Sequence, residues 1–188
     1  NMFLHGVEFD KFDIACEDTL TNPQHWDDEP FELICTNPPY SIKWAGDDNP
    51  LLINDPRFSP AGVLAPKSKA DYAFLLHELH HLKPDGILTI VLPHGVLFRG
   101  GEEEQIRTNL IEKNNIDAII GLPANIFFGT GIPTLIMVLK QHREQDDVLI
   151  IDASKGFVKD GKQNRLRACD IKKIADTVRD RKDITGFS

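Results

Sequence analysis

The chain has 188 residues, which is enough for one domain with a hydrophobic core, and its composition is ordinary for a globular protein. Its formal net charge is −8, whereas many DNA-binding proteins carry an excess of basic residues that binds phosphates. We therefore expect this chain to bind DNA poorly by itself. No apolar run is long enough to cross a membrane, and no signal peptide is visible. We therefore predict a protein without a membrane partner.

The three cysteines, Cys16, Cys35 and Cys169, lie far apart in the sequence. Their spacing does not suit a zinc site, and an odd number cannot pair completely as disulfides. Free thiols are typical of a reducing compartment, so the cysteines favour a cytoplasmic protein.

The first half of the chain contains several predicted elements. Residues 1–6 resemble the end of a helix, so we expect a piece of a longer protein. The partly apolar segments 12–16 and 31–35 predict strands. Residues 41–69, rich in Pro, Asp, Asn, Ser and Lys, predict a long loop of a kind that is usually functional or mobile. Residues 70–82 have apolar side chains at helical spacing.

The second half alternates apolar runs with amphipathic stretches, which predicts an α/β fold with a mostly parallel sheet. The continuous apolar run at 87–92 is typical of a strand buried on both faces. No helix connects 116–120 to 134–139, so these strands are predicted to be antiparallel neighbours. The remaining predictions are a helix at 102–113, a strand at 148–152, and a terminal helix and tail within 170–188.

Asn37, Pro38, Pro39 and Tyr40 directly follow the predicted strand 31–35. Ligands of α/β sheets bind at the carboxyl ends of strands. An amine conjugated to a planar ring is a weak nucleophile. Two acceptors, the Asn37 side-chain oxygen and the Pro38 carbonyl, could draw its N–H bonds toward tetrahedral geometry while the prolines stiffen the backbone. Tyr40 could stack on the ring. The alternative interpretation of residues 37–40 is an ordinary loop, because Asn-Pro and Pro-Pro are also common turn dipeptides.

Several segments, in order, resemble one family. Residues 37–40 are similar to the catalytic motif of the amino-methyltransferases that use S-adenosylmethionine. Residues 68–74, 82–86, 91–98 and 122–134 resemble the modification subunits of type I restriction enzymes. The resemblance implies a Rossmann-like methyltransferase sheet with an antiparallel edge. It also implies methyl transfer to N6 of an adenine that is flipped out of DNA.

The resemblance implies further site residues. Asp18 matches an acidic position near the cofactor or target amine, although such a residue is also typical of a turn. Asp71 matches a position beside the cofactor, where Asn37 also lies, although Asp71 could simply cap a helix. A target-base pocket, or alternatively core around a glycine turn, would comprise Tyr40, Phe127, Phe128 and Thr130.

The family's cofactor loop, a Gly-rich turn after the first strand, has no counterpart in this sequence, and neither does its ribose-binding acidic residue. The resemblance therefore implies that the first two strands of the sheet lie upstream, and that residues 1–188 are the C-terminal catalytic portion of the domain. We expect this portion alone neither to bind S-adenosylmethionine usefully nor to methylate.

The resemblance implies that a specificity subunit holds the DNA, and that a translocase-nuclease restriction subunit completes the assembly. Two alternatives stay open: a glutamine-N5 protein methyltransferase, which uses the same tetrapeptide on an amide, and a non-catalytic scaffold of the same fold.

His77, His80 and His81 have a spacing that can bind metal. Apart from Glu78 no carboxylate accompanies them, so we assign no metal.

Overall fold

The computed structural model describes residues 1–188, which form an α/β fold around a five-stranded mixed sheet. Its strands are β1 (Phe31–Thr36), β2 (Leu82–Pro93), β3 (Ile116–Gly121), β4 (Thr134–Leu139) and β5 (Leu149–Asp152). A separate hairpin consists of β6 (Val158–Asp160) and β7 (Gln163–Arg165). The helices are α1 (Asp71–His80), α2 (Glu102–Glu112) and α3 (Ala168–Asp180).

The strand order in the sheet is β1-β2-β4-β3-β5. β1 is parallel to β2, and β5 is parallel to β3. β4 runs antiparallel to both β2 and β3, which confirms the predicted antiparallel pairing. Because β5 extends the sheet beyond β3, β4 lies inside the sheet.

This topology brings the carboxyl ends of β1, β2, β3 and β5 to one edge of the sheet. The segments that leave this carboxyl edge begin at Asn37, His94, Leu122 and Ala153, respectively. Two of them, after β1 and β3, contain the predicted site residues, as expected for an α/β sheet.

The two faces of the sheet are covered by different elements. A core of 22 buried residues joins one face to α1, α2 and the 41–69 segment, and it includes Phe58, Leu76 and Met137. A smaller cluster of six buried residues includes Val138, next to Met137 in β4. Since neighbouring strand residues point to opposite faces, the second cluster lies on the other face, where α3 packs through Ile174 and Val178.

Residues 12–16 do not form the predicted strand, and Ile14 is 71% exposed. A strand needs a neighbour to satisfy its backbone, but the outer edge of β1 has no partner strand within residues 1–188. Phe12 instead packs edge-on against Phe3 and Phe9, at ring distances of 5.6 and 6.1 Å. The expected helix end at 1–6 is a 3-10 turn, Phe3–His5.

Other element boundaries also differ from expectation. α1 ends at His80, and β2 begins at Leu82 and runs through Pro84, where the sequence predicts only a helix stop. An irregular register between Phe31 and Leu33 accommodates the extra residues of β2 there, and bulges tolerate proline. Residues 41–69 contain three 3-10 turns and no strand or helix. None of the helices has the length and apolarity needed to span a membrane.

Candidate active site

The tetrapeptide at residues 37–40 leaves the carboxyl end of β1 with the Asn37 side chain exposed. The Tyr40 hydroxyl donates to Asn37 Oδ1 at 2.6 Å. Because an amide oxygen has two lone pairs, Asn37 Oδ1 can accept a second hydrogen bond from a substrate. Partial burial raises the pKa of the Tyr40 phenol, with the bond to Asn37 offsetting part of the rise, so Tyr40 is a neutral donor at neutral pH.

The next residue, Ser41, fixes the end of this loop. Its backbone is left-handed, with φ 50°, which is uncommon for a residue other than glycine. The Ser41 N–H donates to Asp71 Oδ1 at 2.7 Å, and its hydroxyl donates to Asp71 Oδ2 at 3.0 Å. The Ala70 N–H donates to the Ile42 carbonyl at 2.9 Å. The loop is therefore attached to the start of α1 through both backbone and side-chain bonds.

Asp71 is 1% exposed and also binds an arginine. Arg99 Nη1 donates to Asp71 Oδ2 at 2.8 Å and to Glu103 Oε1 at 3.1 Å, and Arg99 Nη2 lies 3.3 Å from Ser41 Oγ. Burial opposes the Arg99 charge, but the hydrogen bond to Asp71 and the charge of Glu103 raise its pKa overall. Burial raises the pKa of Glu103, against the opposing effect of Arg99. We call these four residues the Asp71 network.

The segment between β2 and α2 places Arg99 in this network. Its Val96 carbonyl accepts from the Tyr72 hydroxyl at 2.8 Å and from Arg107 Nη1 at 2.9 Å. Arg107 Nη1 also donates to the Arg99 carbonyl at 3.1 Å. A Cβ at Gly95 would lie within 2.4–2.6 Å of the Arg99 guanidinium, so a larger residue there would displace Arg99 from its present position. The segments resembling the family at 68–74 and 91–98 thus meet behind the tetrapeptide.

The predicted target-base residues are only partly brought together. Phe127 meets Tyr40 edge-on, with ring centroids 6.3 Å apart and planes at 70°. Phe128 is 91% exposed and contributes no wall in this structure. Thr130 Oγ1 accepts from the Ile132 N–H at 3.3 Å, a contact within its own loop. Tyr40 and Phe127 form an aromatic corner beside Asn37.

The two predicted acidic cofactor residues are engaged in other contacts. Asp18 Oδ1 accepts from the Leu20 and Thr21 N–H groups, each at 3.0 Å, which is the turn geometry that its position also allowed. Asp71 uses both oxygens on Ser41 and Arg99. Contact of either residue with a cofactor stays a prediction.

A buried carboxylate supports the strand that ends at the site. Thr36, the residue before Asn37, donates its hydroxyl to Glu78 Oε2 on α1 at 2.9 Å. Burial raises the pKa of Glu78 to about 7, and the bond from Thr36 offsets only part of the rise. Glu78 is therefore partly protonated at neutral pH.

His77 and His80 lie on α1, and His81 directly follows the helix. The His77 and His81 rings are 4.6 Å apart, and His77 Nδ1 lies 3.0 Å from Arg57 Nη1. Burial lowers the pKa of His77 to about 3, with neighbouring positive groups adding to the effect. These contacts pack the His77 and His81 rings against each other.

Sequence reasoning did not identify Ser41, Arg99 or Glu103 as site residues. Ser41 directly follows the tetrapeptide, and Arg99 directly follows the family-like segment 91–98, so their positions carried a local signal. What the sequence could not show is that one aspartate, 30 positions after Ser41 and 28 before Arg99, joins them.

Comparisons with known proteins show the family of this chain. The family model described as N-6 DNA Methylase matches residues 1–188. The type I restriction enzyme MpnII methylase subunit of Mycoplasma pneumoniae is 43% identical over 100% of this chain and 36% of its own length. The MjaVII methylase subunit of Methanocaldococcus jannaschii is 34% identical over 100% of this chain and 34% of its length. The chain therefore spans about a third of these curated relatives.

Among solved structures, the type I restriction-modification methyltransferase subunit from Streptococcus thermophilus superposes with a TM-score of 0.94. It is 49% identical, and the match covers 99% of this chain and 39% of that one. The mixed α/β sheet is therefore the sheet of a methyltransferase. Since the family model matches from the first residue to the last, the chain belongs to the N-6 DNA methylase family.

Proposed function

We propose that residues 1–188 are the catalytic portion of a longer, site-specific DNA methyltransferase that transfers the methyl group of S-adenosylmethionine to adenine N6. The observation that carries this proposal is the exposed Asn37 at the carboxyl edge of the sheet, beside the aromatic corner of Tyr40 and Phe127. Membership of the family and the match to type I methylase subunits support it.

The residues of the tetrapeptide act on the amine. Asn37 Oδ1 and the Pro38 carbonyl accept hydrogen bonds from its two N–H groups, which localises the nitrogen lone pair and directs it at the methyl group. Tyr40 stacks on the flipped base, an interaction worth about 1–3 kcal/mol. Pro38 and Pro39 restrict the backbone, and the Asp71 network holds the far end of the loop through Ser41. Preorganised acceptors of this kind act mainly in the transition state.

The described residues fit the amine side of such a site better than the cofactor side. S-adenosylmethionine supplies the methyl group when it is bound, but residues 1–188 contain no Gly-rich turn after a first strand. Asp18 and Asp71 are the proposed cofactor-side residues, together with Asn37. Because both Asp71 oxygens bind Ser41 and Arg99, its geometry favours positioning of the loop over direct contact.

The acidic composition supports a proposed division of labour. A specificity subunit would supply most of the DNA affinity, and a restriction subunit with translocase and nuclease activity would complete the complex. The three cysteines are free thiols and exposed, which supports a reducing, cytoplasmic setting.

The test is transfer of labelled methyl into duplex DNA by the full-length subunit with its specificity subunit. We expect Asn37→Ala to lower the rate by about 10²–10³, as when an enzyme is deprived of one preorganised polar group. Asn54→Ala is the matched control, because Asn54 is exposed and its side chain makes no hydrogen bond. If the Asn37→Ala enzyme still labels DNA at the original rate, the role of Asn37 is refuted. Label found in protein instead of DNA would indicate a glutamine methyltransferase.

A further inference from the structure

The segment that follows β5 is rich in basic residues. Residues 153–167 contain five basic residues and one acidic residue, a formal charge of +4, whereas the whole chain carries −8. The segment includes the hairpin of β6 and β7, whose backbones pair from Val158–Arg165 to Asp160–Gln163. The basic residues are Lys155, Lys159, Lys162, Arg165 and Arg167.

The hairpin is attached to the loop that carries the aromatic corner. Asn164 of β7 is buried, with 6% of its surface exposed. Its side-chain Nδ2 donates to the Ala124 carbonyl at 2.6 Å, and its backbone N–H donates to the Asn125 carbonyl at 2.9 Å. Phe127, which meets Tyr40, is two residues further along that loop. The hairpin therefore has a fixed position next to the candidate active site.

Most of this positive charge is available to a ligand. All five basic residues are exposed. Arg165 pairs with Asp160 and Arg167 with Asp170, but Lys155, Lys159 and Lys162 pair with no carboxylate. The Lys159 ammonium lies 5.7 Å from the Phe157 ring, a weak contact at an exposed position.

Charge is divided between the two edges of the sheet. The base-pocket loop, residues 122–133, contains no charged residue, so the hairpin beside it dominates the local field. At the opposite edge, the segments entering β1 and β5 are acidic. They contain Asp27, Asp28, Glu29, Glu144, Asp146 and Asp147. The unpaired lysines of residues 153–167 therefore place positive charge beside the base-pocket loop, where a polyanion can meet it.

We propose that residues 153–167 form a binding surface for the DNA phosphate backbone beside the flipped base. This inference rests on the proposed function, because a base that enters the corner of Tyr40 and Phe127 brings its flanking phosphates to the same edge. The contacts are to phosphate, so they position the duplex without reading its sequence. They also let an acidic chain hold DNA locally while another subunit supplies the recognition.

The experiment measures binding of a fluorescent 30-base-pair duplex to the full-length subunit with its specificity subunit, across a series of NaCl concentrations. The test variant is Lys159→Ala with Lys162→Ala, and the charge-preserving variant is Lys159→Arg with Lys162→Arg. The matched control is Lys83→Ala with Lys113→Ala, which removes the same charge at the opposite edge, near the starts of β2 and β3. Methyl transfer by the unmodified protein is measured in parallel.

We expect the slope of log K against log salt to become shallower by about 0.9 for each phosphate that the alanine variant no longer neutralises. The arginine variant and the opposite-edge control should keep the original slope. An unchanged slope in the alanine variant, or an equal change in the control, overturns the proposal. The variants can differ in salt dependence as expected while the unmodified protein binds DNA but does not methylate it. In that case the proposed function fails and the binding surface stands.

Discussion

A single carboxylate joins three distant segments of this protein. The Asp71 carboxylate accepts hydrogen bonds from the Ser41 N–H and hydroxyl and from the Arg99 guanidinium. Ser41 follows Tyr40 directly, so any displacement of Ser41 is passed to the tetrapeptide. The left-handed backbone of Ser41 is strained for a residue with a side chain, and the bonds to Asp71 compensate for that strain.

We expect Asp71→Asn to lower kcat for DNA methylation by about 100-fold with little change in KM for DNA. The asparagine oxygen can still accept from Ser41, but its NH₂ group faces the Arg99 donors, and a shift of about 1 Å in catalytic geometry can cost this much. Steady-state kinetics of the full-length complex measure both constants. A KM effect without a kcat effect would contradict the positioning role.

Ser41→Ala serves as the comparison for that variant. It keeps the backbone N–H that donates to Asp71 and removes only the hydroxyl. We expect a decrease in kcat smaller than that of Asp71→Asn.

At the scale of elements, Thr36 and Glu78 couple the end of β1 to α1. The pKa of Glu78 is raised from 4.5 to about 7, mainly by burial. Between pH 4.5 and about pH 7, Glu78 of the folded protein retains a proton that the unfolded chain has released. The free energy of unfolding therefore falls as pH rises through this range. His77, with its pKa lowered to about 3, acts oppositely, since its contribution is lost as pH falls below 6.5.

Replacing Glu78 with glutamine isolates this effect. We expect Glu78→Gln to be more stable than the original chain at about pH 8, by up to about 3 kcal/mol, and similar to it at about pH 4. Urea unfolding of residues 1–188 over a series of pH values measures the difference. Glu112→Gln, on an exposed position of α2, is the control. A variant that is less stable at pH 8 would show that the Glu78 charge is needed for the fold.

The elements also show how far the sequence can be interpreted. β3, β4, α1 and α2 lie close to their predicted ranges, because their apolar patterns match one periodicity and their burial follows from it, whereas β2 begins five residues before its predicted start. The hairpin of β6 and β7 was missed because its strands, Val-Lys-Asp and Gln-Asn-Arg, are short and polar. It forms through pairing with itself and through Asn164, which contacts a loop 40 positions earlier.

The sequence predicted the contiguous part of the candidate site and not the contacts between distant segments. Residues 37–40 form a contiguous motif after a strand, so their neighbourhood could be predicted locally. The contact of Tyr40 with Phe127 and the Asp71 network depend on the strand order of the sheet. That order is set by non-local pairing, which the sequence pattern does not specify.

At the scale of the whole molecule, the chain spans about a third of its curated relatives, and the Gly-rich turn is absent from it. We expect an isothermal titration of residues 1–188 with S-adenosylmethionine to show no binding in the micromolar range. The full-length subunit, titrated in the same buffer, should bind. Micromolar binding by residues 1–188 would mean that the described residues hold the cofactor by themselves.

The outer edge of β1 has a practical consequence. β1 pairs only with β2, and Leu33 is 66% exposed on it. Such an edge presents unsatisfied N–H and C=O groups together with apolar side chains, a template on which a strand from another molecule can add. Residues 1–188 produced by themselves will therefore be prone to aggregate as their concentration rises, and a charged substitution at Leu33 is the simplest way to keep them in solution.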